Sequence, residues 1–316
     1  MKALITGISG FVAGHLANLL IDKNIEVWGT TRHSSPYLSK ESKVSIVKID
    51  LESEEKILSL LNEVEPDYIF HLSGVSNVKY SWENKQETIE SNIITTINLF
   101  EAVRKSNKVQ KMKIISVGSA EEYGKELLGN KLITEYDVIN PSSPYGISKA
   151  TVSLLAKQYY DAYKLNIIHV RPFNHIGPNQ KDGFVVIDFA KQIIEIERGL
   201  RESTVYTGNL NAYRDFTDVR DIVKAYYLLV STPMSEYGFN VNVCSGKGVS
   251  IKSILEKLAN LSRVDIDIMI DPSKFRPLDI PYLVGDNSKL IQLTNWKPSY
   301  ELEQTLKDIL EFLREK

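Results

Sequence analysis

Cysteine, net charge and long apolar runs are what this 316-residue chain has least of. Cys244 is the only cysteine, so neither an intrachain disulfide nor a thiolate metal cluster can form. Lys and Arg total 38 while Asp and Glu total 40, which argues against nucleic acid or a membrane surface as an electrostatic partner. No apolar run approaches the ~18 residues of a membrane span, and none of signal-peptide length follows Met1. We therefore expect a cytoplasmic protein.

Short apolar runs alternate with helical patterns in the first half of the chain. Such alternation predicts βαβ units and a parallel sheet covered on both faces. We expect an α/β fold with a Rossmann-like doubly wound parallel sheet and a smaller C-terminal part. The predicted strands are 3–5, 27–29, 44–49, 68–72, 113–117 and 167–171. The predicted helices are 11–22, 54–63, 83–104, 145–163, 184–198, 219–230 and 251–261, and the predicted loops are 172–183 and 272–281.

A glycine-rich turn lies between the first strand and the first helix. Gly7 and Gly10 precede Phe11 and Val12, and a turn of this kind lets the backbone approach a pyrophosphate at a helix N-terminus. Its position directly after a strand strengthens an otherwise weak pattern. An ordinary strand-to-helix turn is the alternative. We predict that these four residues bind a dinucleotide.

The end of the second strand favours NADP(H) over NAD(H), which stays possible. An NAD site often has an acidic residue there, whereas this chain has Arg32, which can pair with a 2′-phosphate. A solvated surface arginine is the other interpretation. Asp50 is predicted either to accept from the adenine amino group or to cap the next helix. Leu51 and Leu72 complete the predicted cofactor contacts.

Tyr145 and Lys149 are four residues apart at the start of a predicted helix, so both side chains lie on one face. A nearby ammonium stabilises a phenolate and brings a tyrosine into the range of acid–base chemistry. Such pairs are common on helix surfaces. Ser119, in a loop after a predicted strand, strengthens this one because its hydroxyl can hydrogen-bond a reacting oxygen.

The glycine turn, Ser119, Tyr145 and Lys149, in this order and spacing, resemble the extended short-chain dehydrogenase/reductase family across the whole chain. Residues 71–74, Asn92 and 171–174 match further pieces of the family's pattern. The resemblance implies hydride transfer between a nicotinamide and a sugar carbon. It also implies that Tyr145 exchanges a proton with the attached oxygen and that Lys149 holds the nicotinamide ribose. No metal is expected, since the five histidines show no ligand spacing.

Three stretches of the second half are predicted to bind the substrate. Asn174 belongs to a loop that resembles the family's loop over a diphosphate. Arg214 and Arg276 come from separate loops and can clamp a diphosphate from two sides, although either alone fits a surface salt bridge. Lys191 and Asn209 are the other predicted substrate contacts.

Within the family, residues 208–216 resemble a segment of GDP-mannose 4,6-dehydratases and their partner reductases. The chain as a whole is most similar to GDP-6-deoxy-D-mannose reductases, which implies reduction of the C4 ketone of GDP-4-keto-6-deoxy-D-mannose to GDP-D-rhamnose. A dehydratase is the alternative, because Glu121 occupies the place of the dehydratase carboxylate. Another nucleotide-sugar 4-ketoreductase or epimerase also stays open. A non-catalytic NADP-binding regulator is disfavoured because Ser119, Tyr145 and Lys149 are all intact.

The resemblance also carries a domain division and an oligomeric state. We expect dinucleotide binding by 1–172 plus about 213–243, and nucleotide-sugar binding by 173–212 and 244–316. In the family, two long helices pair across a two-fold axis, and helices 83–104 and 145–163 carry apolar residues beyond one stripe. A homodimer is therefore predicted. The residues concerned are Ile93, Ile94, Ile97, Leu99, Phe100, Val152, Leu154, Leu155 and Tyr159.

Overall fold

Seven parallel strands form a central sheet in the protein. The computed structural model describes residues 1–32, 43–124, 131–275 and 280–316. The strands are β1 (Lys2–Thr6), β2 (Glu26–Thr31), β3 (Val44–Lys48), β4 (Tyr68–His71), β5 (Lys113–Val117), β6 (Asn166–Pro172), β7 (Asn174–Ile176), β8 (Thr204–Thr207), β9 (Tyr213–Asp218), β10 (Phe239–Val243), β11 (Gly248–Ser250), β12 (Asp267–Ile270) and β13 (Tyr282–Leu283).

Eleven α-helices lie in the described ranges. They are α1 (Phe11–Asp22), α2 (Glu54–Val64), α3 (Val78–Glu83), α4 (Lys85–Ile89), α5 (Thr95–Lys105), α6 (Pro144–Tyr163), α7 (Val185–Glu197), α8 (Val219–Ser231), α9 (Ile251–Asn260), α10 (Ser288–Thr294) and α11 (Leu302–Arg314). A π-helical turn (Glu90–Ile94) joins α4 to α5, and a 3₁₀ turn (Ala120–Glu122) follows β5. None of these helices is both long and apolar enough to cross a membrane.

The strand order of the central sheet is β10-β6-β5-β4-β1-β2-β3. The chain moves outward from β1 to β3 and then crosses back to place β4 on the other side of β1. This reversal makes a crevice at the carboxyl ends of β1 and β4, where sheets of this kind bind ligands. The predicted doubly wound parallel fold is confirmed.

Alternating side chains of β1 enter two separate apolar cores. Ile5 packs on the face covered by α1 and α8, and Leu4 packs on the face covered by α2, α5 and α6. Burial on both faces accounts for the nearly continuous apolar runs of the central strands. The sheet is therefore held rigidly from both sides beneath the crevice.

The smaller part of the molecule is built on short strands. β7, β9, β11 and β13 form one sheet, and β8 pairs with β12. A third apolar core joins these strands to α7, α9 and α11 through Ile193, Leu255 and Leu306. β9 thus belongs to the small sheet, whereas α8 and β10, which follow it, return to the central sheet.

Several predicted elements differ from the structure. The predicted helix 83–104 is interrupted at Asn84 and again by the π-helical turn. The predicted loop 172–183 contains β7, which pairs with β9 some forty residues later, a contact that local patterning cannot reveal. Four residues predicted to form a second apolar side lie instead in the protein's own interior. They are Leu99, Phe100, Val152 and Tyr159.

Candidate active site

A cavity of about 1270 Å³ opens above the crevice of the central sheet, and residues of both parts of the molecule line it. It contains all the predicted site residues that the structure describes, whose individual roles stay predictions. They are Gly7, Gly10, Phe11, Val12, Arg32, Asp50, Leu51, Leu72, Ser119, Glu121, Tyr145, Lys149, Asn174, Lys191, Asn209 and Arg214. Arg276 lies outside the described residues.

The glycine turn has the backbone shape that only glycine adopts readily. Gly7 has a φ of +70°, and a Cβ atom there would lie 2.9 Å from the Cα of Ser73. Gly10 precedes α1 and provides no side-chain cap to its first-turn N–H groups. Uncapped N–H groups next to a side-chain-free turn fit the pyrophosphate of a dinucleotide.

The residues after β2 and β3 lie at the rim of the same cavity. Arg32 is exposed there. Asp50 accepts a hydrogen bond from the backbone N–H of Glu52 at 3.1 Å. The cap of α2 is Ser53, whose Oγ accepts from the backbone N–H of Lys56, so Asp50 is not the cap of that helix. Its predicted contact with adenine stays a prediction.

Tyr145 and Lys149 both lie buried on the first turns of α6. Pro144 and the capping hydroxyl of Ser143, which accepts from the N–H of Gly146 at 3.0 Å, fix where this helix begins. The Ser119 hydroxyl lies near enough to the phenol of Tyr145 to lower its pKa through hydrogen bonding. The Lys149 Nζ donates to the carbonyl of Val117 at 2.9 Å. The structure therefore brings the three predicted catalytic side chains together.

Burial shifts the pKa values of Tyr145 and Lys149 in the directions that favour their neutral forms. It raises the pKa of Tyr145 far above its ordinary value, against the lowering effect of the Ser119 hydrogen bond and together with the nearby charges of Glu121 and Glu122. Burial also lowers the pKa of Lys149 to about 8, although Glu122 opposes this shift. At neutral pH the free site thus holds a protonated phenol beside an ammonium group, which suits proton donation.

Glu121 lies two residues after Ser119 and lines the cavity, partly buried. Its backbone N–H donates to the Ser119 Oγ at 3.1 Å, and its charge raises the pKa of Tyr145. A carboxylate in this place can move a proton or bind a sugar hydroxyl.

The predicted substrate residues lie on the other wall of the cavity. Arg214, in β9, is buried and donates to the backbone carbonyl of Ile280 at 2.6 Å. Lys191, on α7, forms a salt bridge of 2.5 Å with Asp182 at the rim. The Asn209 side chain accepts from the N–H of Asn211. With Arg276 undescribed, the predicted clamp of two arginines stays a prediction.

Two further residues received no role from the sequence. Glu122 is fully buried directly behind Ser119, and Tyr226, on α8, lines the cavity at 1% exposure. The hydroxyl of Tyr226 has no hydrogen-bonding partner in the described part of the chain. The two adjacent glutamates in the sequence are a signal that could have pointed to Glu122. The helical pattern around Tyr226 contains no such signal for a functional tyrosine.

His71 is a core residue. It is hydrogen-bonded on both sides by Thr6 and Thr96, and burial lowers its pKa to about 3, which keeps the ring neutral. Within the described ranges, no group of three or more His, Cys, Asp or Glu side chains is arranged to hold a metal ion.

A seven-stranded doubly wound sheet with a serine, a tyrosine and a lysine at its carboxyl edge defines an NAD(P)-dependent oxidoreductase of the short-chain dehydrogenase/reductase class. Comparison with known families gives the finer assignment. The family described as GDP-mannose 4,6 dehydratase matches residues 4–309, and the chain belongs to it.

Two groups of curated relatives cover nearly the whole chain. It is 31% identical over 309 residues to the GDP-6-deoxy-D-mannose reductase of Pseudomonas aeruginosa, with 98% of this chain and 96% of the relative covered. It is 27% identical over 344 residues to the GDP-mannose 4,6-dehydratase of Yersinia enterocolitica, with 96% and 91% covered.

Solved structures show the same likeness. The structure of RMD from Pseudomonas aeruginosa, complexed with NADPH, matches with a TM-score of 0.85 at 29% identity over 99% of each chain. The UDP-glucose 4-epimerase of Thermotoga maritima with UDP-glucose matches with a TM-score of 0.89 at 25% identity, over 100% of this chain and 99% of the other.

Proposed function

We propose that the protein reduces the C4 ketone of GDP-4-keto-6-deoxy-D-mannose to give GDP-D-rhamnose. The observation that carries this proposal is the 31% identity, over 98% of the chain, to a GDP-6-deoxy-D-mannose reductase. The cavity supports it, since Ser119, Tyr145 and Lys149 meet there on a cleft large enough for a dinucleotide and a nucleotide sugar.

Tyr145 is the proton donor in the proposed reaction. NADPH, when bound, supplies the hydride that reduces C4. The Tyr145 phenol gives its proton to the C4 oxygen, while the Ser119 hydroxyl holds that oxygen by a hydrogen bond. The Lys149 ammonium stabilises the phenolate that is left. One hydride and one proton convert the ketone to a secondary alcohol.

NADP(H) is the proposed cofactor, held by Gly7, Gly10, Phe11, Val12, Arg32, Asp50, Leu51, Leu72, Tyr145 and Lys149. Arg32 at the cavity rim carries the preference over NAD(H), because a guanidinium can pair with a 2′-phosphate. Replacing it by Asp adds repulsion to the loss of that pair. We expect Arg32→Asp to weaken NADPH binding much more than NADH binding in fluorescence titrations. Equal losses for both cofactors would remove Arg32 from the 2′-phosphate site.

A GDP-mannose 4,6-dehydratase is the second candidate, and Glu121 is the observation that favours it. A dehydratase needs a carboxyl group to handle the C5 proton and assist loss of water at C6, and Glu121 lines the cavity beside Tyr145. The stronger likeness to a reductase weighs against it, 31% against 27% identity. Ser119, where dehydratases usually have threonine, and a single arginine after β2 point the same way.

Two substrates separate the candidates. Given GDP-4-keto-6-deoxy-D-mannose, the purified protein is expected to oxidise NADPH stoichiometrically, with GDP-D-rhamnose identified by NMR. Given GDP-mannose and NADP, it is expected to form no keto sugar. Keto-sugar formation without net cofactor turnover would assign the protein as a dehydratase. The Glu121→Gln variant is the companion test, since a reductase keeps most of its activity and a dehydratase does not.

The remaining proposals concern organisation. We assign dinucleotide binding to 1–172 with about 213–243, and sugar-nucleotide binding to 173–212 and 244–316. The proposed substrate contacts are Asn174, Lys191, Asn209, Arg214 and Arg276.

We propose a homodimer formed through α6 and the α5 region. We also propose a cytoplasmic location, based on the single cysteine. Cell fractionation tests the location.

A further inference from the structure

A charged cluster lies buried behind the proposed catalytic group. Glu122 and Arg171 are 0% exposed and His169 is 1% exposed. The Arg171 Nε donates to one carboxylate oxygen of Glu122 at 2.7 Å, and the His169 Nε2 lies 3.0 Å from the other. Burying a carboxylate this completely is costly unless several donors compensate it.

Glu122 is connected directly to Ser119. Its Oε1 accepts a hydrogen bond from the backbone N–H of Ser119 at 2.9 Å, while the Ser119 Oγ accepts from the N–H of Glu121. These two bonds form a capping box on the 3₁₀ turn after β5. The backbone of Ser119 is thereby tied to the buried cluster, and its hydroxyl is near enough to Tyr145 to lower the pKa of the phenol.

Gly118 leaves the room that this arrangement needs. A Cβ atom at residue 118 would overlap both the Glu122 Oε1 and the His169 Nε2. The absence of a side chain there lets the carboxylate approach the end of β5, where the carbonyl of Val117 holds the Lys149 Nζ. The carboxylate of Glu122 and the ammonium group of Lys149 therefore both lie at the carboxyl end of β5.

We propose that Glu122 is a positioning residue for the reduction: its carboxylate fixes the backbone of Ser119 and places a negative charge behind the strand end that holds Lys149. This inference rests on the proposed function. The two adjacent glutamates then have different roles. Glu121 lines the cavity, whereas Glu122 is buried behind the cavity wall and acts through other residues.

The electrostatics agree with this geometry. Burial alone would raise the pKa of Glu122, but His169, Arg171 and the Ser119 N–H lower it overall, so the group is a carboxylate. Its charge raises the pKa of Lys149 against burial and also raises the pKa of Tyr145. The ionisable groups around Glu122 and Lys149 are Glu121, Tyr123, Tyr145, His71, His169 and Arg171.

Removing only the charge gives the sharpest test. Glu122→Gln keeps an oxygen that can accept from the Ser119 N–H, but it no longer favours the ammonium form of Lys149. The pKa values of Lys149 and Tyr145 then both fall. We expect the alkaline limb of the pH profile of single-turnover NADPH oxidation to move to lower pH by about one unit.

Glu135→Gln is the matched control. Glu135 accepts from the backbone N–H of Asn242 and acts on Tyr123, but it is not among the charges that shift Lys149 or Tyr145. Its loss should leave the limb where it is. An unmoved limb in Glu122→Gln, or an equal shift in both variants, would overturn the inference, since a merely structural carboxylate would lower the rate at every pH.

Two further measurements keep the test decisive. Glu122→Gln could fail to fold because Arg171 loses its charged partner. In that case the double variant with Glu122→Gln and Arg171→Met is used, because removing both charges of a buried ion pair destabilises a protein less than removing one of them. Titration of Lys149 by NMR in the free protein is independent of substrate. It should show the same downward shift, and an unchanged Lys149 would refute the inference. Failure of the wild type to oxidise NADPH, with Lys149 shifted as expected, would count against the proposed function alone.

Discussion

Tyr145 and Lys149 lie one helical turn apart, and the same burial acts on their pKa values in opposite directions. The phenol becomes harder to ionise, and the pKa of the amine falls to about 8. Each shift favours the neutral form, so the phenol keeps its proton over the whole range in which the lysine loses its charge. Such a pair is better prepared to donate a proton than to remove one.

Tyr145→Phe isolates the proton donor. The ring stays in place while the hydroxyl beside Ser119 is lost, so we expect the rate of NADPH oxidation to fall by about 10²–10⁴-fold. Tyr159→Phe is the control on the same helix, because that hydroxyl donates to Glu101 away from the cavity. Wild-type turnover in Tyr145→Phe would disprove the proposed mechanism.

Tyr226→Phe tests a hydroxyl that lines the cavity. The Tyr226 ring packs in the core that holds Ile8 of the glycine turn, and its hydroxyl has no partner within the described residues. If bound NADPH supplies the partner, the variant should lose about 1 kcal/mol of cofactor binding, several-fold in Kd. Its melting temperature should not fall, because the substitution removes no hydrogen bond to any residue that the structure describes.

Tyr123→Phe should show the reverse pattern. The Tyr123 hydroxyl donates to Asn242 at 2.7 Å and accepts from Arg171 at 3.0 Å, both buried. Its removal should lower the melting temperature and leave NADPH affinity nearly unchanged. The same pattern in both variants, by thermal melts and fluorescence titration, would contradict the distinction.

The limits of sequence reasoning at this scale follow from how contacts form. That Ser119, Tyr145 and Lys149 come together in one cavity was predictable from their order and spacing along the chain, whereas their catalytic roles stay predictions. The burial of Glu122 could not be predicted, because it depends on His169 and Arg171, which lie on β6 almost fifty residues later in the chain. That the hydroxyl of Tyr226 finds no partner among the described residues is likewise a consequence of tertiary packing.

At the scale of elements, strands with strong apolar runs were predictable and short strands were not. β1 to β6 fall within one or two residues of the predicted ranges, since their apolar runs mark them clearly, and all of them except the exposed edge strand β3 are largely buried. β7 and β13 have three and two residues and exist through pairing with β9. Strands of that length carry no periodic signal, so the small sheet was not foreseen.

Asn92 lies in the π-helical turn before α5 and is buried there. Its side chain accepts from the N–H of Val75 at 2.8 Å and donates to the carbonyl of Val75 and to the Ser148 Oγ. One amide thus ties the loop after β4 to α6, the helix that carries Tyr145. The extra residue of the π-helical turn interrupts the helix that was predicted to be continuous over 83–104.

Asn92→Ala should therefore destabilise the protein. Three buried or half-buried hydrogen bonds are lost, and we expect a decrease of about 1–3 kcal/mol in the free energy of unfolding. Asn98→Ala on α5 is the matched control, since its amide donates to the carbonyls of Leu51 and Glu52 near the surface. Urea titrations that rank Asn98→Ala as the more destabilised variant would contradict this account.

At the scale of the whole molecule, the exposed side of α6 and of the π-helical turn is the surface on which the proposed dimer depends. Leu154 is 66% exposed, Ile147 47% and Ile94 43%, while their neighbours Val152 and Phe100 complete the interior. The interior therefore uses one side of each helix and leaves apolar side chains exposed on the other. A helix apolar on two sides needs a second partner.

Leu154→Asp tests this surface. A charge at the centre of an apolar dimer contact is desolvated without a partner, so the variant should become monomeric while keeping its fold. Light scattering at micromolar concentration should give a dimer for the wild type and a monomer for the variant, with unchanged circular dichroism. Leu200→Asp is the control, because Leu200 is 74% exposed beyond α7 and away from α6. A monomeric wild type, or dissociation by Leu200→Asp alone, would exclude an interface formed through α6.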